Sequence, residues 1–111
     1  MKSYLTHLEC TYCSNTFDAD VPHRTCPECG KVLYARYDLD AARSALSRNS
    51  LAGRRADMWR YSEVMPVRDE ANVITLGEGF TPIFEVERLG RRLGCAHLYV
   101  KDEGMNPTGS F

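Results

Sequence analysis

This chain of 111 residues has no run approaching the eighteen or so apolar residues that cross a bilayer, so no membrane span is read from it. Its opening, MKSYLTHLEC, has no apolar stretch after the lysine, which argues against a secretory leader and for a cytoplasmic protein. Charge of one sign is also missing. Fourteen Lys and Arg against fifteen Asp and Glu leave a formal charge of −1, so no global field draws nucleic acid or an anionic membrane. With 43% apolar and 26% charged residues, the composition carries no signature of disorder. A disulfide framework is excluded too: five cysteines is an odd number, and the cytoplasm is reducing.

Four of those cysteines carry a different signal. CTYC and CPEC set Cys10 with Cys13 and Cys26 with Cys29, twelve residues apart. A C-x-x-C turn places two sulfurs on one side of a tight loop, and two such turns brought together by a hairpin give a tetrahedral four-thiolate cage suited to Zn²⁺. Gly30 follows the second pair, where the missing Cβ lets the backbone curl and aim N–H groups at sulfur. Ser14, at the matching place after the first pair, predicts a looser turn. Arg24 and Lys31 stand near the second pair and offset the −2 charge of four thiolates on one dication. A redox dithiol is the plainer alternative, but two spaced pairs favour metal. His23 is a possible substitute ligand, outranked by the four sulfurs and read as a surface loop residue, while His7 and His97 carry no signal. Four thiolates leave no position for water, so the site is structural. Its binding energy compensates for a segment too short to bury much apolar surface. Zinc ribbons also bind nucleic acid or proteins. The loop SNTFDADVPHRT between the pairs lacks the basic residues that phosphate contacts need.

Three segments follow from the pattern: a ribbon over residues 1–37, a helix and linker over 38–56, and an α/β segment over 57–111. Residues 32–39 are rich in β-formers and predict a strand that completes the ribbon sheet. DLDAARSALSR predicts a helix started by Asp38 or Asp40, and NSLAGRR a linker with an exposed basic face. DMWRYSEVMPV reads as a short amphipathic stretch burying Met58, Trp59, Tyr61 and Val64. Residues 73–76 predict a strand, and GEGFTP a Gly/Pro turn that allows close backbone approach. FEVERLGRRLGC predicts a helix with Val86, Leu89 and Leu93 on one stripe, stopped by Gly94, and Cys95 is expected to be buried. HLYVKDEG predicts a strand leading into NPTGSF, a turn in which Pro107, Thr108, Gly109 and Ser110 introduce a helix. Helix N-termini favour anions, so this last turn is a candidate ligand loop as well as a common connection.

MWRYSEVMPV, LGEGFTPIFEVERLG and LYVKDEGMNPTGSF, in that order behind a four-cysteine ribbon, resemble the N-terminal part of threonine synthases. The resemblance runs from about Asp57 to the end, and NPTGSF is its most specific element. It implies an α/β fold of the fold-type-II pyridoxal-phosphate class preceded by the small zinc-ribbon β element. It further implies that the residue after Phe111 is the lysine that binds pyridoxal phosphate, and that the chain is an N-terminal piece, inactive by itself. The whole enzyme would convert O-phosphohomoserine and water to threonine and phosphate, as a homodimer. Asn106, Thr108, Gly109, Ser110 and Phe111 would line the cofactor, with residues 78–82 as a supporting turn behind them. Lys101, on the preceding strand, is not expected to replace the missing lysine. A related enzyme such as cysteate synthase, or a free-standing zinc-ribbon module without catalysis, stays open at this point.

Overall fold

The computed structural model describes residues 2–109. It divides into two compact units, Met1–Arg55 with Trp59–Val73, and Ala56–Met58 with Ile74–Phe111.

The first unit is built on a three-stranded antiparallel sheet. β1 (Leu5–Cys10) lies in the middle, flanked by β2 (Thr16–Asp18) and β3 (Leu33–Tyr37). The predicted strand over residues 32–39 is therefore present and does complete the ribbon. A bidentate pair from Arg36 to Glu9, at 2.7 and 3.0 Å, ties β3 to β1 across their exposed face. α1 (Leu39–Ala45) starts where Asp38 accepts the N–H of Ala41, the N-cap expected from an aspartate before a helical run. The predicted linker instead contains a short helix, α2 (Arg48–Leu51), because Ser47 and Ser50 form a reciprocal capping box.

Nor is the basic face of that segment wholly exposed. The Arg54 guanidinium is only partly exposed and grips Glu63 with two 2.8 Å bonds, while Nη1 and Nε also donate to the carbonyls of Arg60 and Ser50. Glu63 belongs to the 3₁₀ turn Met58–Val64, whose buried side chains are Trp59 and Glu63. Tyr61, expected inside, is 43% exposed, since the 3₁₀ spacing breaks at its non-helical backbone. The start of the chain closes this unit: Tyr4 N–H donates to the Glu63 carbonyl, and Ser3 Oγ to that of Met65. Two of the five buried hydrophobic residues of the whole described chain are cysteines, Cys10 and Cys26, so sulfur stands where a core of aliphatic side chains would be.

The second unit carries a two-stranded antiparallel sheet of β4 (Ile83–Glu85) and β5 (Tyr99–Lys101), joined through α3 (Glu87–Leu93). β5 was predicted. β4 was not, because IFE was read as the lead-in to the helix. Residues 73–76 form no strand. A 3₁₀ turn at Glu70–Asn72 precedes them, and the Glu78 carboxylate draws in Thr75 Oγ1 and the Leu76 N–H. Gly94 ends α3 in the left-handed region at φ 71°, as expected. The helix rests on Gly90, where an added Cβ would stand 3.3 Å from the Cys95 carbonyl, and its Leu89 and Leu93 face outward. Cys95, expected to be buried, is exposed.

Candidate functional site

The first candidate is the sulfur cluster. Cys10 closes β1, and Cys13 lies in the turn that leads to β2. Cys26 and Cys29 form a second turn ahead of β3. Each turn is closed by its own backbone: Cys10 N–H donates to the Asn15 carbonyl, and Cys26 N–H to that of Lys31. Gly30 takes φ 71°, and Ser14 takes φ 59°. The serine turn is thus not looser. It adopts the same left-handed geometry, at a steric cost that glycine avoids.

All four sulfurs lie within 4.8 Å of one another. The separations are 3.4 Å for Cys10 to Cys29, 3.6 Å for Cys13 to Cys26 and 3.7 Å for Cys13 to Cys29. Bonds of about 2.3 Å to a tetrahedral Zn²⁺ require sulfur-to-sulfur edges of about 3.8 Å, so the cluster fits that ion with small adjustment. The thiols also compete for negative charge. Burial raises Cys10, but the N–H groups of Cys13 and Tyr12, together with the Cys29 and Cys13 thiols, outweigh it and bring the thiol down to about 6. At Cys13 the Asn15 N–H lowers the value, while burial and the three neighbouring sulfurs push it up to about 12. A dication at the centre resolves this conflict by accepting all four thiolates. His23 packs its ring on Phe17 at 5.4 Å and stands outside the cluster, as do His7 and His97.

The second candidate is the loop that follows β5. A 3₁₀ turn at Glu103–Met105 leads into residues 106–109, where Gly109 N–H donates to the Asn106 carbonyl. Asn106 is half-buried. Its Oδ1 accepts the Gly79 N–H at 2.9 Å, and its Nδ2 donates to the Glu103 carbonyl at 3.1 Å. Thr108 and Gly109 are exposed, and Gly109 sits at φ 64° with nothing within 4 Å of where a Cβ would be. Such an uncrowded backbone with an accessible hydroxyl fits one wall of a cofactor site. Ser110 and Phe111, also expected to line the cofactor, lie outside the described residues. Sequence reasoning placed Thr81 only within the supporting turn at residues 78–82 and overlooked Glu103; their hydrogen bond shows only when the two loops are seen side by side.

A cleft of about 490 Å³ in the first unit touches neither candidate. Arg54, Arg60 and Trp59 are among its lining residues, and Arg54 is already committed to Glu63.

Among known proteins, the threonine synthase of Methanocaldococcus jannaschii is 43% identical over 102 residues, covering 92% of this chain. That of Methanosarcina acetivorans is 36% identical over 105 residues, covering 95%. By sequence the chain is similar to threonine synthases over nearly its whole length. It spans 25% of the length of each of these two relatives. A shorter match, 51% identical over 51 residues, covers 46% of the chain and 14% of the threonine synthase of Halalkalibacterium halodurans. No family model matches the chain, and no solved structure does. No helix among the described residues is long and apolar enough to cross a membrane.

Proposed function

We propose that the full-length protein is a cytoplasmic threonine synthase, which converts O-phosphohomoserine and water to threonine and inorganic phosphate. The observation that carries this reading is the similarity to two threonine synthases over more than nine-tenths of the chain. Pyridoxal phosphate, held by a lysine directly after Phe111, supplies the electron sink for the chemistry at Cα, Cβ and Cγ.

The residues in hand bind and orient. Asn106, Thr108, Gly109, Ser110 and Phe111 form the wall beside the cofactor. Thr108 offers an exposed hydroxyl, and the left-handed backbone at Gly109 keeps the approach free of a side chain. The Asn106 amide is held by Gly79 and Glu103, which fixes the turn before anything binds. Cys10, Cys13, Cys26 and Cys29 hold one Zn²⁺ that organises the ribbon and takes no part in the reaction.

Phosphate release by the purified full-length protein tests the reading. Release from O-phosphohomoserine, with little from O-phosphoserine, is the expected result. The reverse preference would point to a related enzyme such as cysteate synthase, and no release from either would remove the enzymatic reading.

A further inference from the structure

The turn at residues 106–109 does not stand alone. Lys101 ends β5, and its Nζ donates to the Thr81 carbonyl at 2.9 Å and also contacts Thr81 Oγ1. Thr81 Oγ1 in turn donates to Glu103 Oε1 at 2.8 Å, and Lys101 Nζ lies 3.3 Å from the same oxygen. Donor logic fixes the direction of this chain. An ammonium can only donate and a carboxylate can only accept, so the hydroxyl between them must accept from Lys101 and donate to Glu103. Thr81 is buried at 8% exposure, while Lys101 and Glu103 reach it from the half-exposed side. Its hydroxyl, helped by Lys101, holds the Glu103 carboxyl below its usual range, so the acceptor stays ionised near neutral pH.

The second tie runs parallel to the first. Two residues before Thr81, the Gly79 N–H donates to Asn106 Oδ1, three residues after Glu103. The Glu103 carbonyl then receives both the N–H and the Nδ2 of Asn106. Gly79 itself leaves no freedom on its side. It sits at φ 87°, and a Cβ there would lie 2.7 Å from the Met58 nitrogen. The backbone of Gly79 is thus packed closely against that of Met58, and two side-chain hydrogen bonds tie the 103–106 turn to Gly79 and Thr81.

We propose that Lys101, Thr81 and Glu103 are positioning residues: a polar clamp that sets the turn at residues 106–109, and through it the cofactor-bearing lysine of the full-length enzyme. The inference rests on the proposed function for its catalytic consequence but not for the clamp itself. It also accounts for Lys101, the nearest lysine to the loop, whose amine is committed to the clamp.

The test compares Thr81→Val, which keeps the shape and removes the hydroxyl, with Thr81→Ser, which keeps the hydroxyl, both in the full-length protein. Two readouts apply. Amide hydrogen exchange at residues 104–109, measured without cofactor, accelerates about tenfold in Thr81→Val and stays near the parent rate in Thr81→Ser. In the loaded enzyme, Thr81→Val lowers kcat roughly a hundredfold with KM within about threefold, and Thr81→Ser restores most of the loss. Should Thr81→Val fail to fold, Glu103→Leu, which removes the acceptor, serves for both readouts and is expected to show the same local acceleration. Equal exchange in the Val and Ser variants, or unchanged exchange in Glu103→Leu, overturns the clamp. If the unsubstituted protein neither absorbs as a cofactor enzyme nor releases phosphate, the proposed function fails, and the exchange result still decides the clamp.

Discussion

The two units of this chain solve the problem of a small core in opposite ways. In the first, four sulfurs gather at the end of β1 and in the two turns ahead of β2 and β3, and the Arg54 to Glu63 pair ties the linker to the 3₁₀ turn, so its organisation is internal. In the second, both strands are exposed along their whole length. Ile83, Tyr99, Leu93 and Phe80 are each more than half exposed. A two-stranded sheet is marginal in water unless another layer covers it. The lesson is that apolar residues can be correctly patterned and still have no partner within reach. On the proposed reading, the cover comes from the rest of the enzyme, since the chain spans 25% of the length of its relatives.

Metal removal is the strongest way to break the contrast. Chelation, or Cys26→Ser, is expected to cost on the order of 10 kcal/mol of ribbon stability. The loss appears as collapse of the β1 to β3 amide signals, with zinc content falling from one per chain, whereas Cys95→Ser leaves zinc content unchanged. Retention of those signals after complete demetallation would contradict the internal role of the sulfurs.

Next in size is the ion pair. Arg54→Ala leaves a buried carboxylate without its bidentate partner and is expected to destabilise the full-length protein by about 2 kcal/mol in urea titration at neutral pH. Its pH dependence has a definite sign. The Arg54 hydrogen bonds lower the Glu63 carboxyl below its usual 4.5, against the opposing effect of burial. The stabilisation is therefore fully present above pH 4.5 and is lost as pH falls through the lower folded value. The gap between parent and variant should close in acid; a constant gap would mean that Arg54 acts by packing alone.

In the second unit, Gly79→Ala forces a side chain into the left-handed region and against the Met58 nitrogen. A loss of about 2 kcal/mol is expected in the melting of the full-length protein. The smallest effect sharpens the comparison most. Ile83→Lys is expected to change the stability of the 111-residue chain by less than about 0.5 kcal/mol while reducing its aggregation. In the full-length protein the same change should be clearly destabilising. Equal, small effects in both would mean that this strand is never covered.

The ribbon was legible because ligand spacing is a local constraint: two C-x-x-C turns and an intervening hairpin leave few ways to bring four sulfurs together. Helix ends were legible for the same reason, with Asp38 accepting at the start of α1 and Gly94 turning left-handed after α3. What stayed hidden depends on neighbours distant in sequence. Nothing in NSLAGRR announces that Arg54 will be drawn to Glu63, and the three residues of β4 acquire their identity only by pairing with β5. Leu89 and Leu93 gave a valid helical stripe, but the burial of Gly90 shows that the helix rests on a different side. In the turn at residues 106–109, the sequence singles out Asn106 but gives no sign of its hydrogen bond from Gly79.

The central claim is that this chain leads directly into a cofactor-bearing lysine. Borohydride reduction of the purified full-length protein, followed by peptide mapping, tests it most directly. The account predicts a pyridoxyl mass on the residue that follows Phe111. A label on Lys101, or no label anywhere, would contradict it.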